Sequence, residues 1–310
     1  MPPSCPDPLF RTPVPVCTEP PFRLDARQGV LLVGSCFTDN IGGRLIECGV
    51  PACVNPAGVQ YNPASIAALL RAAMELRLPE GASFRFQERT RCWLFPTRFS
   101  SADPAEAEAI FSDTLQTLHD ALLECPALAV TLGTAWVYEH IASPASDYSG
   151  IVGNCHKVPA SEFRRRRLLP EEIVALWREL LADLQDFRSR NGAGEALKVI
   201  FTVSPIRHFR DGAAQNTLSK ATLHLSVHTL LESLPADNNL MPDYFPAYEL
   251  LMDDLRDYRF YADDMLHPSA TAIAYIWDHF RHTYYTPSDC AGMNLAARAS
   301  RAAAHRTLLR

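Results

Sequence analysis

With 310 residues, 47% hydrophobic and 21% charged, the chain holds enough apolar material for one large domain or two smaller ones. A net charge of -6 argues against a broad electrostatic grip on nucleic acid. The longest apolar runs, VLLVG, ALAVTL and KVIFTV, are strand-sized and too short to span a bilayer.

The start, MPPSCPDPLFRTPVPVCTEPPF, is rich in proline and lacks the basic end and apolar core of a secretory signal. Residues 1–27 are therefore expected to be a proline-rich N-terminal segment, ahead of a main domain over 28–286 and a tail over 287–310 rich in alanine and arginine. Val30 to Val33 predicts a first strand and Thr38 to Cys48 its helix. PACVN gives a short second strand. Asn62-Pro63 then opens a helix, a capping residue followed by proline at the first helical position, with Ile66, Leu69, Leu70 and Met74 on one face. Residues 83–98, SFRFQERTRCWLFPTR, predict an inserted hairpin beside the main sheet. Asp103-Pro104 starts a long helix ending near Cys125, and ALAVTLGTAWVYE predicts the third strand, with Gly133 at its end.

The run Arg164, Arg165, Arg166 and Arg167 is the one dense basic patch, expected to be a solvated turn before the next helix. That helix opens at Pro170 and stops at Asn191-Gly192. LKVIFTVSP predicts the fourth strand, a helix follows from about Gln215 to Leu234, and YFPAYELLMD is expected to hold a fifth strand. Pro268 opens a last helix, after which the tail is expected to be loosely attached. Strands alternating with helices predict an α/β fold, a parallel sheet covered on both faces, with any ligand site beyond the carboxyl ends of the strands.

Nine cysteines with no C-x-x-C pair imply reduced thiols and a cytoplasmic setting. Cys48 and Cys53 have no companion pair at zinc spacing, and Cys155 with His156 lacks a partner cluster, so no metal and no cofactor are expected.

Three polar clusters converge on one sheet edge in this topology. Ser35 follows the first strand, TLGT ends the third and TVSPIRH ends the fourth. Asp264 and His267 come from YADDMLHPS, just before the last helix. A serine needs a histidine to take its proton, and that histidine needs a carboxylate to fix its tautomer. Asp264 and His267 supply both roles from one turn, and Ser35 at a helix N-terminus has backbone N–H groups nearby for an oxyanion. The plainer reading of Ser35 is a helix N-cap. A further reading places thiol chemistry at the adjacent Cys36, with Ser35 structural.

The segment GSCF resembles the signature of the GSCFA family, with Thr38 in place of its final alanine. The likeness continues through NPAGVQYNPASIA, TLGTAWVY, GNCHKVP, TVSPIRH, NTLSKATL and LRDYRFYADDMLHPS, from about residue 28 to about 285. That family is similar to the SGNH, or GDSL-like, hydrolases. The resemblance implies a three-layer α/β/α sandwich with a central parallel, flavodoxin-like sheet, and a serine esterase or acyltransferase without cofactor. It implies Ser35 as nucleophile, His267 as base and Asp264 as its orienting carboxylate, with the Gly58 N–H facing the oxyanion. Where SGNH enzymes carry an asparagine after the third strand, this chain has GTAW. Thr134, Asn154 or His156 is the candidate to complete the substrate and oxyanion site. The expected substrate is a small-molecule or carbohydrate ester with a short acyl group such as acetyl. The alternative is a non-catalytic binding module that keeps the pocket.

Overall fold

A computed structural model describes residues 12–142, 150–235 and 239–308; residues 1–11 of the proline-rich segment and 309–310 of the tail lie outside the described residues. Strand β1 (Val30–Gly34) leads into helix α1 (Cys36–Glu47), then β2 (Ala52–Val54) and α2 (Pro63–Glu75). A hairpin, β3 (Ser83–Phe86) and β4 (Arg89–Cys92), precedes α3 (Pro104–Glu124) and β5 (Ala127–Leu132). The chain next makes β6 (Trp136–His140), β7 (Ile151–Val152) and β8 (Phe163–Arg167). It continues through α4 (Pro170–Arg190), β9 (Leu197–Val203), α5 (Ala213–Ser233) and β10 (Leu240–Tyr244). Three helices close it: the short α6 (Ala247–Glu249), α7 (Ala270–Tyr284) and α8 (Pro287–Leu308).

Five strands form the central sheet in the order β10-β9-β5-β1-β2, all parallel. Numbered along the chain within that sheet, the order is 2-1-3-4-5. Connections from β1 therefore depart in opposite directions between β1 and β5, the crevice where open α/β sheets hold their ligands. Alternate residues of the buried strands point to opposite faces. Leu31 and Val33 of β1 join Leu128, Val130, Val199 and Phe201 in one core under α2, α3, α4 and α5. Val30 and Leu32 join Ala127, Ala129 and Ile200 in a second core under α1, α7 and α8. The result is the three-layer α/β/α architecture anticipated from the sequence.

Local chemistry sets the helix starts. The Asn62 side chain accepts from the Ser65 N–H at 2.8 Å, with Pro63 at the first helical position. Asp103 accepts from Ala105 N–H at 2.9 Å. Helix α7 is capped by Ser269, whose hydroxyl accepts from Ala272 N–H, so it starts two residues after Pro268.

Several expectations are corrected. The third strand ends at Leu132, beside the expected Gly133, but the rest of its run leads into a further strand, β6, which joins β7 and β8 in a separate antiparallel sheet. The arginine run is not a solvated turn but strand β8, held by carboxylates. Arg164 and Arg166 both bond Glu139, Arg166 also bonds Glu172, and Arg165 makes a two-pronged pair with Asp211. The fifth strand is LMPDY, displaced toward the N-terminus from YFPAYELLMD. Its proline, Pro242, is tolerated because β10 is an edge strand, while 247–255 coils into helical turns. The expected hairpin is present as a separate two-stranded sheet, but it ends at Cys92, and the next residues, Trp93, Leu94 and Phe95, are buried in the first core.

The tail is not loose. Helix α8 buries Cys290 and Met293 in the second core beside α7 and α1, and Ala297 on it is buried as well. The described part of the N-terminal segment packs there too: Phe22 stacks on Tyr284, and Leu24 N–H donates to Tyr284 O at 2.7 Å. Met293→Ala is expected to cost about 2 to 3 kcal/mol in urea unfolding, as for other buried truncations. A loss below about 0.5 kcal/mol, the range of surface substitutions, would mean that α8 is not part of the core.

Candidate active site

At the carboxyl end of β1 the chain passes close to β5. Gly34 has φ +143°, and a Cβ there would lie 2.3 Å from the Thr131 carbonyl oxygen, so only glycine fits. The next residue is tied by Ser35 N–H donating to Thr131 O at 3.1 Å. Asn55, after β2, closes the other side: its side-chain oxygen accepts from Gly34 N–H at 2.9 Å, and its amide donates to Asp39 at 2.7 Å.

This clamp decides where the two neighbouring nucleophiles point. Ser35 is 1% exposed and caps α1, its hydroxyl accepting from Phe37 N–H at 3.4 Å. Cys36 is the first residue of α1 and faces the turn that precedes α7. Its sulfur lies 3.7 Å from His267 Nε2. On the other side of the ring, His267 Nδ1 lies 2.6 Å from Asp264 Oδ2. The three aligned groups are thus Cys36, His267 and Asp264. The expectation that His267 faces Ser35 is replaced by this geometry, because the N-cap bond turns the serine hydroxyl inward.

Asp264 also organises its own turn. Its Oδ1 accepts from both Leu266 N–H and His267 N–H at 2.9 Å. Those amides, together with the His267 ring, hold its carboxyl down at about 2. The turn is closed by Ala262 N–H donating to His267 O at 2.8 Å. Burial pushes the Cys36 thiol above its ordinary value, and Asp39 adds to the rise. Its own backbone N–H and the charge of Lys220 pull the other way. The shift favours the protonated thiol, which stands beside the His267 imidazole.

The remaining expected site residues divide. Gly58 N–H donates to Asn55 O at 2.7 Å inside a turn (φ +82°), so it is not directed at an oxyanion. Thr134 uses its hydroxyl on Ser219 and Trp136 N–H, and its own N–H on Tyr61 O. His156 is buried with both ring nitrogens engaged, Nδ1 by Thr97 Oγ1 at 3.1 Å and Nε2 by Cys92 O at 2.7 Å. It braces the hairpin. Asn154 differs: its backbone N–H donates to Trp93 O, but its side-chain Nδ2 is buried with no partner. Its neighbour Gly153 lies against Gln60, whose N–H donates to Gly34 O.

Two residues were not anticipated. Lys220 on α5 is 2% exposed and donates from Nζ to Gly133 O at 2.7 Å and Ser204 O at 2.6 Å. It thereby pins the carboxyl ends of β5 and β9 together beneath the site. Its signal in the sequence was position: 220 is in helical register with the buried Leu223, Val227 and Leu230. His208, after β9, is held near its neutral form, lowered to about 4 by burial and by the charges of Lys220 and His267.

Burial lowers the Lys220 ammonium from 10.5 to about 7. Below that value the amine is charged in both folded and unfolded chains. Between about 7 and 10.5 only the unfolded chain binds the proton, so folding stability should rise with pH across that window by about 1 kcal/mol per unit. In Lys220→Met this contribution to the slope should vanish, as measured by urea unfolding at pH 7, 8 and 9. Parallel pH profiles for the two proteins would show that the buried amine does not shift.

A family model described as the GSCFA family matches residues 29–280. A search of curated proteins gives no match. Among solved structures, the chain is similar to a carbohydrate esterase family 3 from Talaromyces cellulolyticus, at 10% identity and a TM-score of 0.35, covering 82% of this chain and 94% of that one. That likeness is too remote to bear on the chemistry. The family match spans most of the chain, including Cys36, His267 and Asp264, and the protein belongs to the GSCFA family.

Proposed function

We propose that this protein transfers an acyl group from an ester, with Cys36 as nucleophile, His267 as general base and Asp264 as the carboxylate that orients the imidazole. The observation that carries this reading is the alignment Cys36 Sγ, His267 Nε2, His267 Nδ1, Asp264 Oδ2 at 3.7 and 2.6 Å. A histidine hydrogen-bonded through Nδ1–H to a carboxylate presents its Nε2 lone pair to a nucleophile.

In the first half-reaction His267 takes the thiol proton as the sulfur attacks the ester carbonyl carbon. The tetrahedral intermediate collapses to a thioester on Cys36, and the departing alkoxide takes the proton from His267. In the second half-reaction water, or an acceptor alcohol, gives its proton to His267 and attacks the thioester. Cys36 leaves as a thiolate and recovers the proton. The developing oxyanion is stabilised by the Cys36 N–H at the start of α1, where the helix terminus also favours negative charge. Asn154, with its unpartnered amide, is the proposed second donor.

Ser35 has a different part in this scheme. It ends β1, caps α1 and fixes the direction in which Cys36 leaves the strand. The alternative of a non-catalytic binding module draws on the occupied amides of Gly58 and Thr134 and is decided by the same measurements.

Incubation with 4-nitrophenyl acetate should add one acetyl group to Cys36, labile to hydroxylamine and located by peptide mass spectrometry. Cys36→Ala should abolish turnover while leaving the fold intact. Ser35→Ala should retain measurable turnover and cost about 1 kcal/mol of stability through the lost cap. If Ser35→Ala is folded but inactive and Cys36→Ala still turns over, the nucleophile is Ser35. No acylation and no turnover with any short acyl ester would favour the binding module.

Asp264→Asn separates turn structure from catalysis. Asparagine keeps an oxygen for the amides of Leu266 and His267 but removes the negative charge beside the ring. Turnover should fall by about 100-fold or more with little change in thermal stability. Unchanged turnover would remove Asp264 from the mechanism.

A further inference from the structure

We infer that the cavity beside the His267 turn receives the alcohol portion of the ester, and that this portion is a neutral, polyhydroxylated ring. The inference rests on the acyl-transfer reading above and adds to it the class of substrate.

The cavity, about 480 Å³, lies between the segment after β9 and residues 248–261, and Met265 forms part of its wall. Met265 sits between Asp264 and His267 in the same turn. Arg207, which also lines the cavity, donates its backbone N–H to Leu266 O at 3.3 Å. One short loop therefore has the histidine and carboxylate on one side and the cavity on the other. A ring seated there lies against Met265, within the turn that carries the histidine and the carboxylate.

Its lining selects the ligand. Tyr248, Tyr258 and Tyr261 supply aromatic faces, and Tyr258 is 78% exposed, a large ring left on the surface at the mouth of a cavity. Polar groups of both kinds stand among them. Arg207 and Arg256 only donate hydrogen bonds, whereas the Asp253 carboxylate only accepts them. Arg207 stacks over Phe209 and reaches Met252 Sδ, a weak acceptor. Among the described residues neither Arg207, Arg256 nor Asp253 has an ion-pair partner. A hydroxyl both donates and accepts, so adjacent hydroxyls on one ring satisfy arginine and aspartate together. Asp257 is paired with Arg259, which leaves two arginines beside the Asp253 carboxylate. A group that only accepts hydrogen bonds would leave that carboxylate unanswered, and a purely aliphatic alcohol would leave all three charged groups unanswered.

Two readouts test this, one independent of catalysis. In Cys36→Ala protein, saturation-transfer NMR with methyl glucoside, methyl galactoside and methyl mannoside at about 10 mM should detect binding of at least one glycoside. Tyr258→Ala in the same background should remove that signal. With the nucleophile present, kcat/KM is measured for the monoacetylated form of the bound glycoside and for 4-nitrophenyl acetate. Tyr258→Ala and Asp253→Ala should each lower the ratio of the first to the second by about tenfold. Glycoside binding without turnover of either ester upholds the cavity and overturns the catalytic reading. Turnover of 4-nitrophenyl acetate with no glycoside binding overturns the cavity assignment and leaves the catalytic reading standing. Tighter binding of a glycoside phosphate than of its neutral parent also overturns the inference, because the site then recognises charge.

Discussion

Two backbones meet without a side chain between them where β1 and β5 end, and the candidate site is built on that contact. A Cβ on Gly34 would intrude on the Thr131 main chain, so the strands approach as closely as they do only because residue 34 is glycine. The approach lets Ser35 N–H reach Thr131 O, and Asn55 and Gln60 take the N–H and C=O of Gly34. With the strand end fixed by those bonds, the chain turns into α1 in one direction. The buried hydroxyl of Ser35 and the outward thiol of Cys36 follow from it.

A second set of bonds extends the same edge. Lys220 joins the carbonyls of Gly133 and Ser204, at the ends of β5 and β9, while Gly133 and Thr134 donate to Tyr61 O. These carbonyls lie past the last strand pairs, where a parallel sheet otherwise exposes unpaired oxygens. A buried amine satisfies two of them at once and places a titratable group near the thiol, since its charge is felt at Cys36. Arginine would not be a conservative replacement in this enclosed space, because its planar guanidinium is larger and stays charged.

Much of the scaffold was legible in the sequence because its signals are local. Asn62-Pro63, Asp103-Pro104 and the β-branched runs marked elements through backbone chemistry, and the alternation of strand and helix implied the parallel sheet. The errors arose where tertiary context overrides local pattern. Pro242 disguised β10, and four consecutive arginines resembled a solvated turn until Glu139, Glu172 and Asp211 came across to pair them. At the site, Asp264 and His267 were recognisable as an orienting pair within one turn, and they lie in contact. Which of Ser35 and Cys36 they serve was not recoverable from types and order. The answer depends on a rotation of about one residue at the strand end, set by the Thr131, Asn55 and Phe37 contacts. Lys220 escaped notice because a lysine in a helix is ordinarily a surface residue.

The alternation along β1 carries a consequence for how such a chain tolerates change. Val30 and Leu32 belong to one core, Leu31 and Val33 to the other, and Cys36 follows two residues past the end of the strand. A single inserted or deleted residue in this strand would exchange the two hydrophobic sets between the faces and carry the thiol away from His267 in the same movement. Folding and reactivity are thus read out in one phase. An insertion or deletion in β1 is therefore expected to harm both together, since all five of its residues are buried.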